Sequence, residues 1–419
     1  MVDKKIFLYD LAVTSLLRRG VQRYLREWLD YHLAAGVEHF FLYDADGSED
    51  VREILKPYLD SRLVDCFPVA GENMQVPVYN DAVRKFKFAC RLMAFVDTDE
   101  FIFPKTGATI PETVDEILSR DERTVALAIN RQTFGSNNLQ TADDSRGVLE
   151  RFTRRAPTDW FEPPTEDTLP AGNIHITTIA NPRFVRAIVN PHFAYYFDGR
   201  FAVNSAGGRV AHWGNEPVLA DKIVVNHYIK SRAEFLSAND DADAFVRNDR
   251  NEIFDAGILS YRKLRTENYR PPKSFDREDY FQTLEKILLP AARADTPEEF
   301  FAGKLETFLT CRALAGVLRR SYPKDSRGRF MEEAALRALN RTHFTRMTFA
   351  EIMMMLNALP QILVLPYPIV KNIHQNCLNF VRQLLNDFQR AARWDRFVEA
   401  GNYFELLAAF NATIKTGDD

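Results

Sequence analysis

The chain has 419 residues, 46% of them hydrophobic and 27% charged, with 32 Phe and a formal net charge of -4. That composition excludes a disordered or fibrous protein, the length exceeds the usual single domain, and the charge balance excludes a global basic field for nucleic acid. Cys66, Cys90, Cys311 and Cys377 show neither CxxC pairing nor short metal-ligand spacing, so no disulfide framework or zinc knuckle is indicated and a reducing compartment is expected.

The first hundred residues alternate two periods. KIFLYDLAV (5–13) reads as a strand; YLREWLDYHLAAGV (24–37) places Leu25, Trp28, Leu29, His32 and Leu33 at helical spacing and stops at Gly36. HFFLYDAD (39–46) returns to strand, VREILKPYLDS to helix and LVDCFPV to strand. PVYNDAVRKFKFACRL predicts a helix beginning near Asn80 or Asp81, and MAFVDTDEFIFP a fourth strand. Strands separated by such helices make βαβ units, hence an α/β domain with a mostly parallel sheet and helices on both faces. Ligands collect at the carboxyl ends of strands in such sheets, where Asp44/Asp46 and Asp97/Asp99 fall.

From about 108 to 265 the pattern loosens into short strands and loops rich in Asn, Gly and His (TVALAINRQTFGSNN, FVRAIVNP, GRVAHWGNEP, IVVNHYIKS). A domain boundary is expected between 262 and 280, giving a domain over 1–265 and an α-helical C-terminal region over 266–419. Apolar residues at helical spacing between Pro297 and Tyr322, and the Met353–Leu356 cluster, require cover from the first domain or from a second subunit. Self-association through these helices is the oligomer this pattern predicts. No window reaches the roughly 18 uninterrupted apolar residues of a membrane helix. The expectation is a soluble cytoplasmic protein, with membrane attachment limited to a peripheral kind.

Three carboxylates, Asp97, Asp99 and Glu100, interrupt the apolar run AFVDTDEFIFP, and buried carboxylates need a cation, a metal or access to water. On a strand, Asp97 and Asp99 share one face and Glu100 takes the other. Two carboxylates on one face can share a hard cation such as Mg²⁺ or Mn²⁺; an edge-strand or capping role is the alternative.

The stretches EWLDYHLAAGVEHFFLYDADGSED, KPYLDSRLVDCFPV, YNDAVRKFKFACRLMAFVDTDEFIFP, FGSNN with VLERFTRRA, and VVNHYIKSRAEFL occur in this order over residues 6–240 and together resemble glycosyltransferase family 92 and its family-2-like relatives. The resemblance implies a GT-A type fold, a nucleotide-sugar donor, most simply a UDP-sugar, and Mn²⁺ or Mg²⁺ bound by a DxD motif. By this resemblance Asp99 is the direct metal ligand and Asp97 contacts ribose or metal-bound water. Asp44 and Asp46 match the loop that holds base and ribose, where a plain Asp/Gly turn is the competing reading. Relatives carry a Lys-Asn-Glu turn after the first strand, whereas this chain has AVTSLLRRGVQRYL; Thr14 and Ser15 stand in for base contacts, and Arg18 or Arg19 for phosphate contacts.

His227 is the expected third metal ligand, with His192 and His212 behind it, and Lys230 is placed against the diphosphate as a binding and catalytic cation. The resemblance also implies inversion, which needs a carboxylate base; Glu216 is preferred to Asp198. Trp160 and Trp213 are candidates to stack on sugar. The expected function is therefore metal-dependent transfer of a sugar to a glycan or lipid-linked acceptor. A non-catalytic scaffold on a degenerate GT-A domain is the alternative, and a two-metal phosphohydrolase lacks the clustered ligands it needs.

Overall fold

The computed structural model describes residues 7–342 apart from 106–108, 122, 143–144, 166–169, 197–198, 240, 268–276, 302–303 and 322, together with a few residues between 351 and 387. Strand β1 (Tyr9–Leu17) pairs in parallel with β2 (His39–Asp44) on one side and β4 (Cys90–Phe95) on the other. β3 (Val64–Pro68) extends the parallel set beyond β2, so the order is 3-2-1-4 and reverses direction at β1. An open sheet of this kind leaves its binding crevice outside the carboxyl ends at that switch point, here between Leu17 of β1 and Phe95 of β4.

Beyond β4 the sheet becomes mixed. β7 (Ile176–Ala180) runs antiparallel between β4 and β6 (Thr124–Phe134), and β10 (Phe201–Val203) lies parallel to β6 with β11 (Arg209–Val210) on its edge. β5 (Glu100–Pro104) pairs antiparallel with β12 (Ile223–Tyr228), which itself pairs in parallel with the far end of β6. A separate hairpin, β8 (Val185–Asn190) and β9 (Phe193–Tyr196), packs its Val185, Ile188, Phe193 and Ala194 into the core on one sheet face.

Helices cover both faces. α1 (Gln22–Ala34), α2 (Glu49–Asp60) and α4 (Ile110–Leu118) bury Leu25, Trp28, Val51, Leu55, Val114 and Ile117 in one cluster. α3 (Gln75–Phe86) buries Val78, Tyr79, Ala82 and Val83 in the other. Trp28 and Phe101 are fully enclosed, and each such side chain contributes roughly 1.5–3 kcal/mol by leaving water. The Ser48 hydroxyl accepts from the Val51 N–H at the start of α2, and Thr109 and Glu112 form a reciprocal capping box on α4. Gly36 ends α1 at φ +103, where a Cβ would meet Pro111 Cδ and Thr109 Cβ at 3.0 Å each.

This is the mostly parallel α/β architecture of a GT-A type domain, with two local departures that shape the site. α3 begins at Gln75, not near Asn80. Pro77 falls in its first turn, where a missing N–H costs nothing, so the helix starts ahead of the polar residues that looked like its cap. And MAFVDTDEFIFP is two strands, β4 and β5, joined by a turn in which the Glu100 N–H donates to the Asp97 carbonyl at 3.0 Å.

The chain divides into two units, Tyr9–Lys273 and Met1–Leu8 with Ser274–Asp419. The second contains α6 (Arg277–Arg293), α7 (Pro297–Phe301), α8 (Leu305–Ser321) and α9 (Ser326–Asn340). Leu284, Leu288, Phe308, Leu309, Leu314, Met331 and Leu336 are buried in that unit, and the Tyr280 hydroxyl donates to the Phe7 carbonyl at 2.6 Å. Of the Met353–Leu356 cluster, Met355 is buried, whereas Met353, Leu356 and the proline-rich 358–370 stretch lie outside the described residues. Among the described residues no helix is long and apolar enough to cross a membrane.

Candidate active site

Asp97, Thr98 and Asp99 form a partly exposed turn between buried Val96 and buried Glu100. The turn, rather than strand alternation, brings the two aspartates together. Asp97 accepts from the Gln75 side chain and, at 3.2 Å, from the Tyr79 hydroxyl, both on the first turns of α3. Arg18, just past β1, donates to Gln75 at 2.7 Å, so the β1, α3 and β4 ends are tied through one amide. Burial and the Asp99 charge push the Asp97 carboxyl up, against Arg18, Gln75 and Arg131. Burial acts on Asp99 in the same sense, but the His227 imidazole when protonated, Lys230 and Arg131 work against it and hold Asp99 below its usual value.

Glu100 answers the question of how a third acid survives in the apolar run. Arg131, on β6, donates to it at 2.7 Å, Thr177 donates at 3.2 Å, and the Asp97 N–H at 3.3 Å. Burial, countered by Arg131 and reinforced by Asp97 and Asp99, pushes its carboxyl up to about 7. Arg131, Gln75 and Tyr79 were not among the residues expected at the site. Arg131 carries a signal: a lone cation in the apolar strand TVALAINRQTF is the counterpart of the acids that interrupt AFVDTDEFIFP.

β12 delivers the next groups. His227 stands opposite Glu100 in the β5 pairing, and the Tyr228 N–H donates to the Asp99 carbonyl at 2.9 Å, fixing the strand end to the acid turn. Burial and Arg131 depress the His227 imidazole to about 3 despite Asp99, so it is neutral, and its Nδ1 is buried without a hydrogen-bond partner. Lys230 takes a left-handed backbone, φ +68, which is unusual without glycine and is held by what surrounds it. Its ammonium lies 5.6 Å from the Tyr24 ring centroid, Tyr24 donates to Glu234, and Glu234 accepts from Ser231 at the head of α5 (Arg232–Asn239).

The donor set suits a hard divalent cation: two carboxylates, and a neutral imidazole whose buried nitrogen lacks a partner. Among the described residues, however, no group of three His, Cys, Asp or Glu side chains is gathered closely enough to hold a metal by itself.

Asp44 ends β2, and its carboxylate accepts from the Asp46 and Gly47 N–H groups at 3.0 and 2.9 Å, so it builds the turn. Asp46 is the freer acid, with Oδ2 buried and unpartnered. Thr14 and Ser15 are fully enclosed within β1, which sets them back from the open strand end; Arg18 and Arg19 are exposed beyond it. His192 is half-buried and its imidazole is pushed well below the usual value by desolvation, then by Arg131, His175 and His227, while His212 is exposed and accepts from the Gly214 N–H at 3.1 Å. Glu216 is exposed on the wall of a groove that also contains Trp213 and His212. Trp160 is only 7% exposed, with the Arg250 guanidinium 5.1 Å from its ring centroid, and so is a packing residue rather than a sugar platform. Asp198 lies outside the described residues.

A glycosyltransferase family 92 protein of Ricinus communis is 23% identical over 148 residues, covering 35% of this chain and 26% of that protein. A galactan beta-1,4-galactosyltransferase of Arabidopsis thaliana is 29% identical over 152 residues, 33% of this chain and 29% of its own. The chain thus spans between a quarter and a third of the length of these curated relatives. Among solved structures, S. aureus TarS 1-349 in complex with UDP-GlcNAc aligns over 94% of this chain and 92% of that one at 13% identity, with a TM-score of 0.31. The model of glycosyltransferase family 92 matches residues 18–248, more than half of the chain, and takes in the acid turn, His227 and Lys230. The chain belongs to glycosyltransferase family 92.

Proposed function

We propose that this chain transfers a sugar from a nucleoside diphosphate, a UDP-sugar in the first instance, to a hydroxyl of a glycan acceptor with inversion at the anomeric carbon. The observation that carries the reading is the convergence of Asp97, Asp99, His227 and Lys230 at the carboxyl ends of β4 and β12, beside the switch point of a family 92 domain. Galactosyl transfer is the first specificity to try, because curated relatives are named for it.

Asp97, Asp99 and His227 would hold Mn²⁺ or Mg²⁺, which when bound offsets charge on the leaving diphosphate. Lys230 meets the same phosphate as a fixed point charge, pre-positioned by its strained backbone and the Tyr24 face. Arg18 is exposed and within electrostatic reach of Asp97, a second cation for phosphate. Asp46 takes the ribose or base edge with its unpartnered oxygen, while Asp44 keeps the loop in shape. Glu216, exposed on the groove wall, removes the proton from the attacking acceptor hydroxyl. The balance is simple: the new C–O bond forms as the bond to the diphosphate oxygen breaks, and the acceptor proton goes to Glu216.

A donor screen tests this reading by following UDP and GDP release from a panel of sugar nucleotides, with and without Mn²⁺, in the presence of galacto-oligosaccharides. Mn²⁺-dependent release from one UDP-sugar supports it; no release from any donor contradicts it.

A further inference from the structure

A groove of about 520 Å³ lies between the loop carrying Trp213 to Glu216 and the strand edge at Phe161, with Pro170, Ile174 and Arg209 on its walls. We infer that this groove holds the acceptor as a neutral saccharide chain, with the Trp213 indole and the Phe161 ring as its stacking surfaces. The inference rests on the transfer reaction proposed above and adds its acceptor side.

Four observations carry it. The first is aromatic surface left in water: Phe161 is 40% exposed and Trp213 partly exposed, both facing the same concavity. Flat rings with polar groups at the rim suit the alternating C–H faces and hydroxyl edges of a sugar.

The second is rigidity. The loop after Trp213 is fixed by buried asparagines. Asn130 Nδ2 donates to the carbonyls of Asn173 and Asn215 at 3.1 and 3.0 Å, and its Oδ1 accepts from Asn215 Nδ2 at 2.7 Å and the Leu219 N–H at 3.1 Å. Asn204 donates to Asn215 Oδ1 at 3.0 Å. Trp213 itself is held by its carbonyl, which accepts from the Ile176 N–H at 3.2 Å, and by the His175 ring 5.0 Å away. A loop so tied keeps its shape before any ligand arrives, which removes an ordering cost from binding.

The third is charge. Among the described residues one arginine and one glutamate line the groove, and the Arg209 guanidinium lies 4.9 Å from the Phe201 ring centroid, so the described lining holds no cluster of cations for an anionic chain. The fourth is position. The Arg131 N–H donates to the His175 carbonyl at 2.9 Å, and the same Arg131 holds Glu100 beside the acid turn. One residue of β6 therefore bonds both Glu100 and His175, whose ring lies against Trp213.

The test combines binding and turnover. Full-length protein is titrated, by intrinsic fluorescence and calorimetry, with β-1,4-galactotetraose, cellotetraose, mannotetraose and a tetragalacturonate, and Trp213→Ala and Phe161→Ser are measured beside it. The expected result is binding of at least one neutral tetrasaccharide, weakened about tenfold or more in both variants. In turnover the acceptor KM rises by a similar factor while the donor KM moves less than twofold. Phe161→Ser, at an exposed site, guards against a misfolded Trp213 variant. Binding of the tetragalacturonate alone, of none of the four, or equally by variants and wild type overturns the groove assignment. If neutral saccharides bind as expected but no sugar nucleotide is turned over, the transfer reading fails and the groove stands as a saccharide site.

Discussion

His227 and Lys230 reach the acid turn from a strand more than a hundred residues away in sequence, and each is held in a state that folding alone does not favour. The imidazole is kept neutral with one nitrogen unpartnered, and the lysine backbone is left-handed. In the transfer reaction proposed above, groups of this kind stabilise charge that grows as the glycosidic bond breaks, which acts on turnover more than on binding. His227→Ala and Lys230→Ala are each expected to lower kcat by about 10²–10³, roughly 3–4 kcal/mol, with smaller changes in donor KM and little change in Tm. A His227→Ala protein that melts earlier while keeping its rate per folded molecule removes His227 from the site. Arg131 makes the opposite prediction. It compensates a buried acid, so Arg131→Met leaves Glu100 without its cation and costs about 3–5 kcal/mol in denaturant unfolding. The double variant Arg131→Met/Glu100→Gln recovers most of that loss; no recovery shows that the pair is not what Arg131 serves.

At the scale of elements, α1 carries a titration of its own. His32 is completely buried; its Nε2 accepts from the Ile102 N–H at 3.3 Å and its Nδ1 pairs with the Trp28 carbonyl at 2.9 Å, so both nitrogens are used by the neutral ring. Burial depresses it from 6.5 to about 4. The unfolded chain therefore takes up a proton near pH 6.5 that the folded chain refuses until about 4. Stability from His32 is complete above 6.5 and falls as the pH drops toward 4, by about 3 kcal/mol in all. His32→Gln should flatten the stability profile across that window; an unchanged profile refutes the assignment.

The same scale explains what the sequence made legible. Strands and helices with a clean period were readable, and Gly36 marked the end of α1 as read. VDTDEF was misread as strand because two apolar strands flank it without a Gly or Pro to announce the turn. The start of α3 was misplaced because Asn80 and Asp81 look like caps, while Pro77 sits where a helix tolerates it. That shift hid Gln75 and Tyr79. The asparagines that fix the groove loop were equally hidden, since their partners are carbonyls as much as 85 residues away. Asp97, Asp99, His227 and Lys230 are candidates that spacing and resemblance single out, whereas the burial of Trp160 beside a more exposed Trp213 has no signal in the sequence.

For the whole molecule, two units carry different predictions. In the helical unit, α6, α8 and α9 close around Phe308, Leu314 and Leu336, so Phe308→Ala opens a core and costs that unit about 3–5 kcal/mol, read by circular dichroism during denaturation. A change below 1 kcal/mol contradicts the packing. In the α/β unit the acid turn is proposed to support sugar transfer through a cation, and Asp99 bears most directly on that role. The decisive measurement is UDP release from a panel of UDP-sugars by wild type and Asp99→Asn, titrated with Mn²⁺, with folding checked by melting. Expected are Mn²⁺-dependent release by the wild type and a loss of at least about 10²-fold in Asp99→Asn at unchanged fold. Equal, Mn²⁺-independent release by both proteins, or none by the wild type with any donor, contradicts it.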